Sequence, residues 1–257
     1  MRNSPLVSYT RLSPNRSSPR EHPVTRITPH CVVGQFTVEE ILNLSDFTVY
    51  DPKNGASCNY AIGRDGRIGL GVDEGDRSWC SSSGDNDHRA VTIEVASDRT
   101  APYAVTDAAY GALLDLMTDI CRRYGKTRLV WPGSREEALA YEPGEDEMVL
   151  TAHRFFANKA CPGDYMYDRY GQMAEEVTKR LEESDVTEER VKELVDEAVR
   201  AARPKVYTSV EECPEWARPA VRAAMDKGVL RGDQADRLHL TDDNLVSLQM
   251  LANLGLI

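Results

Sequence analysis

Two histidines and one cysteine are the residues of this chain best suited to bind a metal ion. His30 lies in the apolar run ITPHCVVG, and His153 begins the stretch HRFFANKACPGDY, in which Cys161 follows eight residues later. Two imidazoles and a thiolate are good zinc ligands, and three protein ligands leave a fourth position open, as in catalytic zinc sites. By spacing alone an alternative stays open, in which His30 is a hydrogen-bonded core residue and Cys161 a small buried side chain.

Alternating strand and helix patterns predict an α/β domain over residues 27–181. Apolar, β-branched runs predict strands, and the Asp65-Gly66 pair between two of them indicates a hairpin. Apolar spacing of three and four predicts helices, the first capped by Thr37. The predicted strands are 27–34, the two runs within 59–72, 90–97 and 127–131, and the predicted helices are 36–44, 106–124 and 164–181.

Three further segments flank this domain. Residues 1–26 form a basic, proline-rich arm that wraps the domain or stays mobile. Residues 182–204 predict a linker helix with acidic groups first and arginines last, either solvated or self-associating through a thin apolar stripe over 186–202. Residues 205–257 form a small module of two helices, the second capped by Thr241, and Trp216 looks like part of its core.

Composition excludes several classes of protein. The 257 residues carry 31 basic and 42 acidic side chains, a net charge of −11, which argues against a protein that mainly binds nucleic acid. The chain contains no apolar run of about 18 residues, so we expect no membrane span. The N-terminal residues lack the apolar segment of a secretory signal, and six scattered cysteines do not suggest a disulfide scaffold. We therefore expect synthesis in the cytoplasm with free thiols.

Four stretches carry a resemblance to a known family. They are ITPHCVVGQ, ASCNYAIGRDGRIG, DRSWCSS…NDHRAVTIEVASD and TAHRFFANKACPGDY, which together span much of residues 1–181. In these stretches the chain resembles the zinc-dependent N-acetylmuramoyl-L-alanine amidases of the phage lysozyme and peptidoglycan-recognition-protein fold. It is most similar to endolysins of phages or prophages of Gram-positive gut bacteria. The resemblance implies a central mixed β-sheet flanked by helices, and release of the protein to act on bacterial peptidoglycan.

The resemblance also implies a role for each site residue. His30, His153 and Cys161 match the three zinc ligands, Glu94 matches a glutamate that acts as base, and Lys159 matches a lysine that stabilises the oxyanion. The implied reaction is hydrolysis of the amide between the lactyl group of N-acetylmuramic acid and the L-alanine of the stem peptide. The alternative functions are a recognition protein of the same fold that does not cut, and an intracellular amidase acting on soluble muropeptides.

Four residues are predicted to contact the substrate, and two departures from the expected pattern deserve tests. Cys58 stands where one branch of the family has a catalytic tyrosine, which shifts the role of base to Glu94. Pro29 lies within a presumed inner strand, where proline cannot donate a ladder hydrogen bond, so we expect a local bulge beside His30. The predicted substrate contacts are Trp79, Asn59, Asp87 and His88.

The C-terminal module resembles small helical modules appended to such endolysins and, more faintly, one S-layer-homology repeat. This resemblance implies attachment to the cell wall or assembly of subunits, and the sequence leaves both open.

Overall fold

The computed structural model describes residues 3–183 and 188–257 of the chain. The chain divides into two compact units, Met1–Asp185 and Val186–Ile257. In the described part of the chain, no helix is long and apolar enough to cross a membrane.

The strands all belong to the first unit. Strands β3, β7 and β9 are buried along nearly their whole length, as expected for central strands covered on both faces. The described strands are β1 (Val7–Thr10), β2 (Arg16–Ser17), β3 (Arg26–Cys31), β4 (Tyr60–Ile62), β5 (Ile68–Leu70), β6 (Arg77–Ser78), β7 (Ala90–Val95), β8 (Arg128–Val130) and β9 (Glu147–Leu150).

The helices occupy both units. A short 3₁₀ turn, His153–Phe155, follows β9. The described helices are α1 (Val38–Leu42), α2 (Ser45–Thr48), α3 (Gly84–Arg89), α4 (Asp107–Arg123), α5 (Arg135–Ala140), α6 (Asp164–Tyr167) and α7 (Tyr170–Glu183) in the first unit, and α8 (Glu188–Ala202), α9 (Arg218–Asp226) and α10 (Asp242–Asn253) in the second.

Seven strands form one mixed sheet in the order β1-β5-β4-β7-β3-β9-β8, and β2 pairs with β6 separately. Only the β4–β5 hairpin is antiparallel within the large sheet, since the other five neighbours pair in parallel. Helices α4 and α7 cover one face, while α1 covers the other. Along β4, Tyr60 and Ile62 lie in the first core cluster and Ala61 in the second, as strand alternation requires. The predicted fold class is therefore confirmed.

The N-terminal arm wraps the first unit. Its strand β1 forms the edge of the large sheet, and β2 pairs with β6. The backbone N–H of Ser4 donates to the Tyr60 hydroxyl at 2.8 Å, and Arg20 donates to the carbonyl oxygen of Glu74 at 2.6 Å. The arm over residues 3–26 is thus part of the folded unit, and the alternative of a mobile arm is wrong there.

Pro29 causes no bulge in β3. The β3–β7 register runs without a shift from Arg26 opposite Ala90 to Cys31 opposite Val95. On the side of β3 that faces β9, the carbonyls of Thr25 and Ile27 accept from the N–H groups of Val149 and Thr151. The next N–H on that side would come from residue 29, and proline has none. There the Thr151 carbonyl accepts the hydroxyl of Tyr170 instead, at 3.1 Å. A side chain therefore replaces the missing ladder bond, and the expectation of a bulge is wrong.

The predicted helix over 164–181 is divided into α6 and α7. At the junction the guanidinium of Arg169 donates to the Tyr165 carbonyl at 2.7 Å and lies over the Tyr165 ring. In a continuous helix that carbonyl would accept the backbone N–H of Arg169. The side chain competes with the backbone here, so one helix becomes two.

The second unit has a small core of its own. Tyr207, Val221, Leu240 and Leu245 are among its buried residues. Trp216 precedes α9 and is 50% exposed, so the expectation that it belongs to the core is wrong. On α9 itself, Val221 and Ala224 are buried, whereas Met225 is 40% exposed.

The predicted linker helix corresponds to α8. The residues 184–187 of the predicted linker lie outside the described residues. Every residue from 191 to 200 is exposed, including the apolar side chains of Val191, Leu194, Val195 and Val199.

Candidate active site

The metal-binding residues predicted from sequence meet at one edge of the sheet. His30 lies near the carboxyl end of β3, and His153 follows β9, its neighbour in the sheet. The Nδ1 atom of His30 lies 3.3 Å from the Sγ atom of Cys161, and the rings of His30 and His153 are 5.1 Å apart by centroid. The three ligand atoms all lie within 4.8 Å of one another. The structure therefore brings together three residues from distant parts of the chain.

Cys161 is placed by the turn that precedes α6. Its carbonyl oxygen accepts the backbone N–H of Arg154 at 3.1 Å, which ties the turn to the 3₁₀ segment. Two residues later Gly163 has a φ of +83°, and a Cβ there would lie 2.6 Å from the Cβ atom of Tyr103. The positive φ and the lack of space for a Cβ atom both require glycine at position 163, which explains the last residue of the Cys-Pro-Gly run.

The environment of the three residues fits a zinc ion. Burial holds the pKa of His30 well below its usual value, aided by His153, and burial together with Lys159 lowers the pKa of His153. Both shifts favour the neutral imidazole, the form that metal ligation requires. The buried Nε2 atom of His30 has no hydrogen-bond partner among the described residues. The atom of His30 that faces Cys161 is Nδ1, so the support for a metal site is the donor set itself, two imidazoles and a thiol whose ligand atoms lie within 4.8 Å of one another.

Ser82 orients the second imidazole. Its Oγ atom lies 2.8 Å from Nε2 of His153, which leaves Nδ1 as the other ring nitrogen for a metal. Ser82 has a φ of +60°, an unusual value for a residue other than glycine. Val33 and Tyr103, with φ of 57° and 60°, line the same cleft. Backbone strain thus concentrates around the site, as is common at functional sites.

Glu94 lies beside the three ligands. It is the register partner of His30, and its Oε1 atom lies 4.0 Å from Nδ1 of that residue. Burial raises the pKa of Glu94 to about 7, the Asp46 carboxylate adds to the rise, and the thiol of Cys80, which donates to Oε1 at 3.8 Å, opposes it. The Oε2 atom has no partner among the described residues. A carboxylate with a pKa near neutrality is suited to both accept and return a proton.

Lys159 is exposed at the mouth of the site. It lines the same cleft as Glu94 and His153. The positive charge of Lys159 lies close enough to His153 to lower the pKa of that imidazole. An ammonium in this position can stabilise negative charge that develops on a bound carbonyl.

The cleft consists of two adjoining pockets. One, of 400 Å³, is lined by Glu94 and by two of the predicted ligands, His153 and Cys161, and the other, of 490 Å³, extends away from them past Trp79. Ala56, Cys80, His153 and Lys159 line both. The second pocket is bordered by the basic side chains of Lys53, Arg77 and Lys159.

Comparison with known families decides the assignment. A model of the N-acetylmuramoyl-L-alanine amidase family matches residues 20–164, more than half of the chain. The chain belongs to the N-acetylmuramoyl-L-alanine amidase family. The matched range of the amidase includes His30, Glu94, His153, Lys159 and Cys161.

Several solved structures are similar to the amidase at low identity. PlyL is 16% identical with a TM-score of 0.47, covering 66% of this chain and 95% of that one. AmpD is 18% identical with a TM-score of 0.45, covering 68% and 99%. The endolysin amidase LysCS from Clostridium intestinale URNW is 15% identical with a TM-score of 0.42, covering 65% and 95%. At these values the similarities add nothing to the family assignment. No curated protein matches the chain.

The four predicted substrate contacts occupy different environments in the amidase. Trp79 is half-buried on the wall of the second pocket, 6.2 Å from the Tyr50 ring by centroid, and its indole N–H donates to Ser17. Asp87 reaches the same pocket, but its carboxylate accepts from the backbone N–H groups of Cys80 and Ser81. Asp87 therefore shapes the loop that carries Cys80 and Ser82.

Asn59 and His88 lie away from the cleft. Asn59 is fully buried, where its side chain accepts from Arg20 and Thr92 and donates to backbone carbonyls. His88 is buried, and its Nδ1 atom accepts the backbone N–H of Glu21 at 3.0 Å. Asn59 binds Arg20 of the N-terminal arm, and His88 binds Glu21 of the same arm. The structure therefore does not place either side chain as a substrate contact.

Cys58 cannot replace a catalytic tyrosine from its position. It is fully buried in the smaller core cluster of the first unit, and it does not line the cleft. Burial, with Glu94 nearby, raises the pKa of its thiol well above the usual value. Glu94, by contrast, lines the cleft.

Two residues of the site were not singled out from the sequence. Cys80 contacts Glu94, and Ser82 contacts His153. Both lie in the polar stretch DRSWCSSSGDND, in which nothing in the spacing distinguishes Ser82 from its serine neighbours.

Proposed function

We propose that the chain is a catalytically active, zinc-dependent endolysin that hydrolyses the amide bond between N-acetylmuramic acid and L-alanine in peptidoglycan. The observation that carries the proposal is the donor set of His30, His153 and Cys161, which faces Glu94 in an open cleft. A recognition protein that only binds needs neither a complete ligand set nor a carboxylate beside it.

Each side chain has a defined task in this proposal. His30, His153 and Cys161 hold the zinc ion, which when bound polarises the scissile carbonyl and activates water. Glu94 takes a proton from the attacking water and delivers it to the leaving amine of L-alanine, which its pKa of about 7 permits. Lys159 faces the developing oxyanion and stabilises it.

The second pocket is suited to the rest of the substrate. Trp79 offers an aromatic surface, and Lys53, Arg77 and Lys159 supply positive charge in a protein whose net charge is −11. The stem peptide of peptidoglycan carries carboxylates, so we expect it to lie in this pocket.

The second unit is proposed to direct the enzyme to its polymeric substrate or to assemble subunits. The segment 244–257 contains no charged side chain, and Val246 and Met250 on α10 and Leu254 just after it are exposed. A freely diffusing muropeptide would need no such surface, which favours action on the cell wall after release from the cytoplasm.

The test of the proposal uses purified cell wall and the full chain. New N-terminal L-alanine and new reducing sugar ends are measured with a chelator and again after zinc is restored. We expect L-alanine ends that disappear with the chelator and return with zinc. Reducing ends would indicate a glycosidase, and wall binding without new ends would indicate the recognition protein.

A matched pair of variants assigns the base. Glu94→Gln keeps the shape of the side chain and is expected to lower kcat by about 10²–10⁴-fold while the bound zinc is retained. Glu136→Gln, at a side chain that is 78% exposed, serves as the control. Wild-type turnover in Glu94→Gln would show that another group is the base.

The role of the second unit is tested by deleting residues 205–257. Wall affinity and the mass in solution are measured by sedimentation. Lower wall affinity supports attachment, and fewer subunits per particle, obtained by dividing the measured mass by the mass of one chain, supports assembly. If neither changes, both proposed roles of the unit are wrong.

A further inference from the structure

A second group of metal-binding side chains adjoins the first. Cys80, Glu94 and His30 offer a thiol, a carboxylate and an imidazole, and their ligand atoms all lie within 4.8 Å of one another. The Sγ atom of Cys80 lies 3.8 Å from Oε1 of Glu94, and that oxygen lies 4.0 Å from Nδ1 of His30. Cys80 takes no part in the hydrolysis proposed above.

The separations are close to those of a bound ion. With bond lengths of about 2.3 Å to sulfur and about 2.0 Å to nitrogen or oxygen, tetrahedral zinc holds S···O and N···O pairs about 3.3–3.5 Å apart. To reach these values, the Cys80–Glu94 pair needs to contract by about 0.3 Å and the Glu94–His30 pair by about 0.7 Å.

The surroundings also favour an ion. The His30 side chain is fully buried and that of Glu94 is 14% exposed, while Cys80 lines both pockets of the cleft, which supplies an entry path. The Oε2 atom of Glu94 has no hydrogen-bond partner among the described residues and is available as a further ligand.

We propose that Cys80, Glu94 and His30 form a second metal position, which takes a thiophilic divalent cation such as Zn²⁺, Co²⁺ or Cd²⁺. Sulfur and nitrogen donors select these ions over Mg²⁺ and Ca²⁺, which prefer oxygen ligands. The Nδ1 atom of His30 is the atom nearest to both Cys161 and Glu94, so the two positions compete for it. If the proposed function holds, an ion in the second position is inhibitory, because it withdraws both His30 and Glu94 from the reaction.

The direct test is titration of the full chain with Co²⁺, which gives a thiolate-to-metal charge-transfer absorption when a cysteine binds it. Cys161→Ser removes the thiolate of the first position and is expected to retain this absorption, at one ion per chain. Cys80→Ser is expected to retain it through Cys161. The double variant is expected to lose it. Cys213→Ser, in the second unit, is the matched control and should behave as wild type.

Two results would overturn the proposal. One is loss of the absorption in Cys161→Ser when circular dichroism and thermal unfolding show a folded protein. The other is its persistence in the double variant, which would assign the binding to another thiol, such as that of Cys31. Neither readout depends on hydrolysis, so a failed amidase assay leaves this test intact.

The inhibition is tested separately with Cd²⁺ on the zinc-loaded enzyme. Relative to each protein's own activity without Cd²⁺, Cys80→Ser is expected to raise the half-inhibiting concentration at least tenfold. Equal sensitivity of the two proteins would contradict an inhibitory role for the second position.

Discussion

Replacing Glu74 with glutamine tests the buried ion pair that holds the N-terminal arm to the sheet. The side chain is 1% exposed, and its two oxygens accept from Nη1 and Nη2 of Arg123 at 2.8 and 2.6 Å. The hydroxyl of Tyr60 also donates to it, and that same hydroxyl accepts the backbone N–H of Ser4. One carboxylate therefore connects α4, β4 and the arm.

The size of the effect follows from these contacts. Removing one charge of a buried ion pair costs about 3–5 kcal/mol. Arg123 keeps Asp119 as a partner at 2.8 Å, and the amide retains one acceptor oxygen, so we expect the low end of this range. A change of ~1 kcal/mol shifts Tm by about 2–4 °C in a protein of this size. The transition of the first unit should therefore fall by about 6–12 °C.

The assay is thermal and urea unfolding of Glu74→Gln beside the exposed control Glu136→Gln. Limited proteolysis provides a second measurement, because the arm should be cleaved faster once Arg123 and Tyr60 compete for the single acceptor oxygen of Gln at position 74. A loss below about 1 kcal/mol would refute the reasoning, since it would mean that the pair contributes no more than a surface ion pair.

Three other substitutions test a residue that orients a metal ligand, a residue that stabilises the fold and a residue proposed to act in catalysis. Ser82→Ala should weaken zinc binding by about 10–100-fold at unchanged Tm, measured by competition with a chromophoric chelator, and unchanged affinity would remove Ser82 from the site. Asn59→Ala should lower stability by about 2–3 kcal/mol and leave KM unaltered, whereas a raised KM would restore it as a substrate contact. Lys159→Met should lower kcat by about 10²–10³-fold without a change in stability, and full activity would argue against oxyanion stabilisation.

Local patterns of the sequence predict many of the helices, strands and turns. Thr37 caps α1 by accepting the N–H of Glu40, and the chain turns between β4 and β5 at Gly66, which has a φ of +82°. Gly125, with a φ of +66°, follows α4 as a C-terminal glycine should. These features depend on a few neighbouring residues, so the sequence alone predicts them. The predicted metal ligands could be named because the Cys-Pro-Gly run around Cys161 resembles a family, rather than because of their spacing.

Other features depend on residues that are distant in the chain. The sequence cannot show that the Thr151 carbonyl finds the Tyr170 hydroxyl where Pro29 offers no donor, or that Asn59 is enclosed by Arg20 and Thr92. Local patterns determine which elements form, because caps and turns are made by near neighbours. Only the packing of the sheet, helices and arm decides whether a polar side chain faces the cleft or the core, because its hydrogen-bond partners come from elsewhere in the chain.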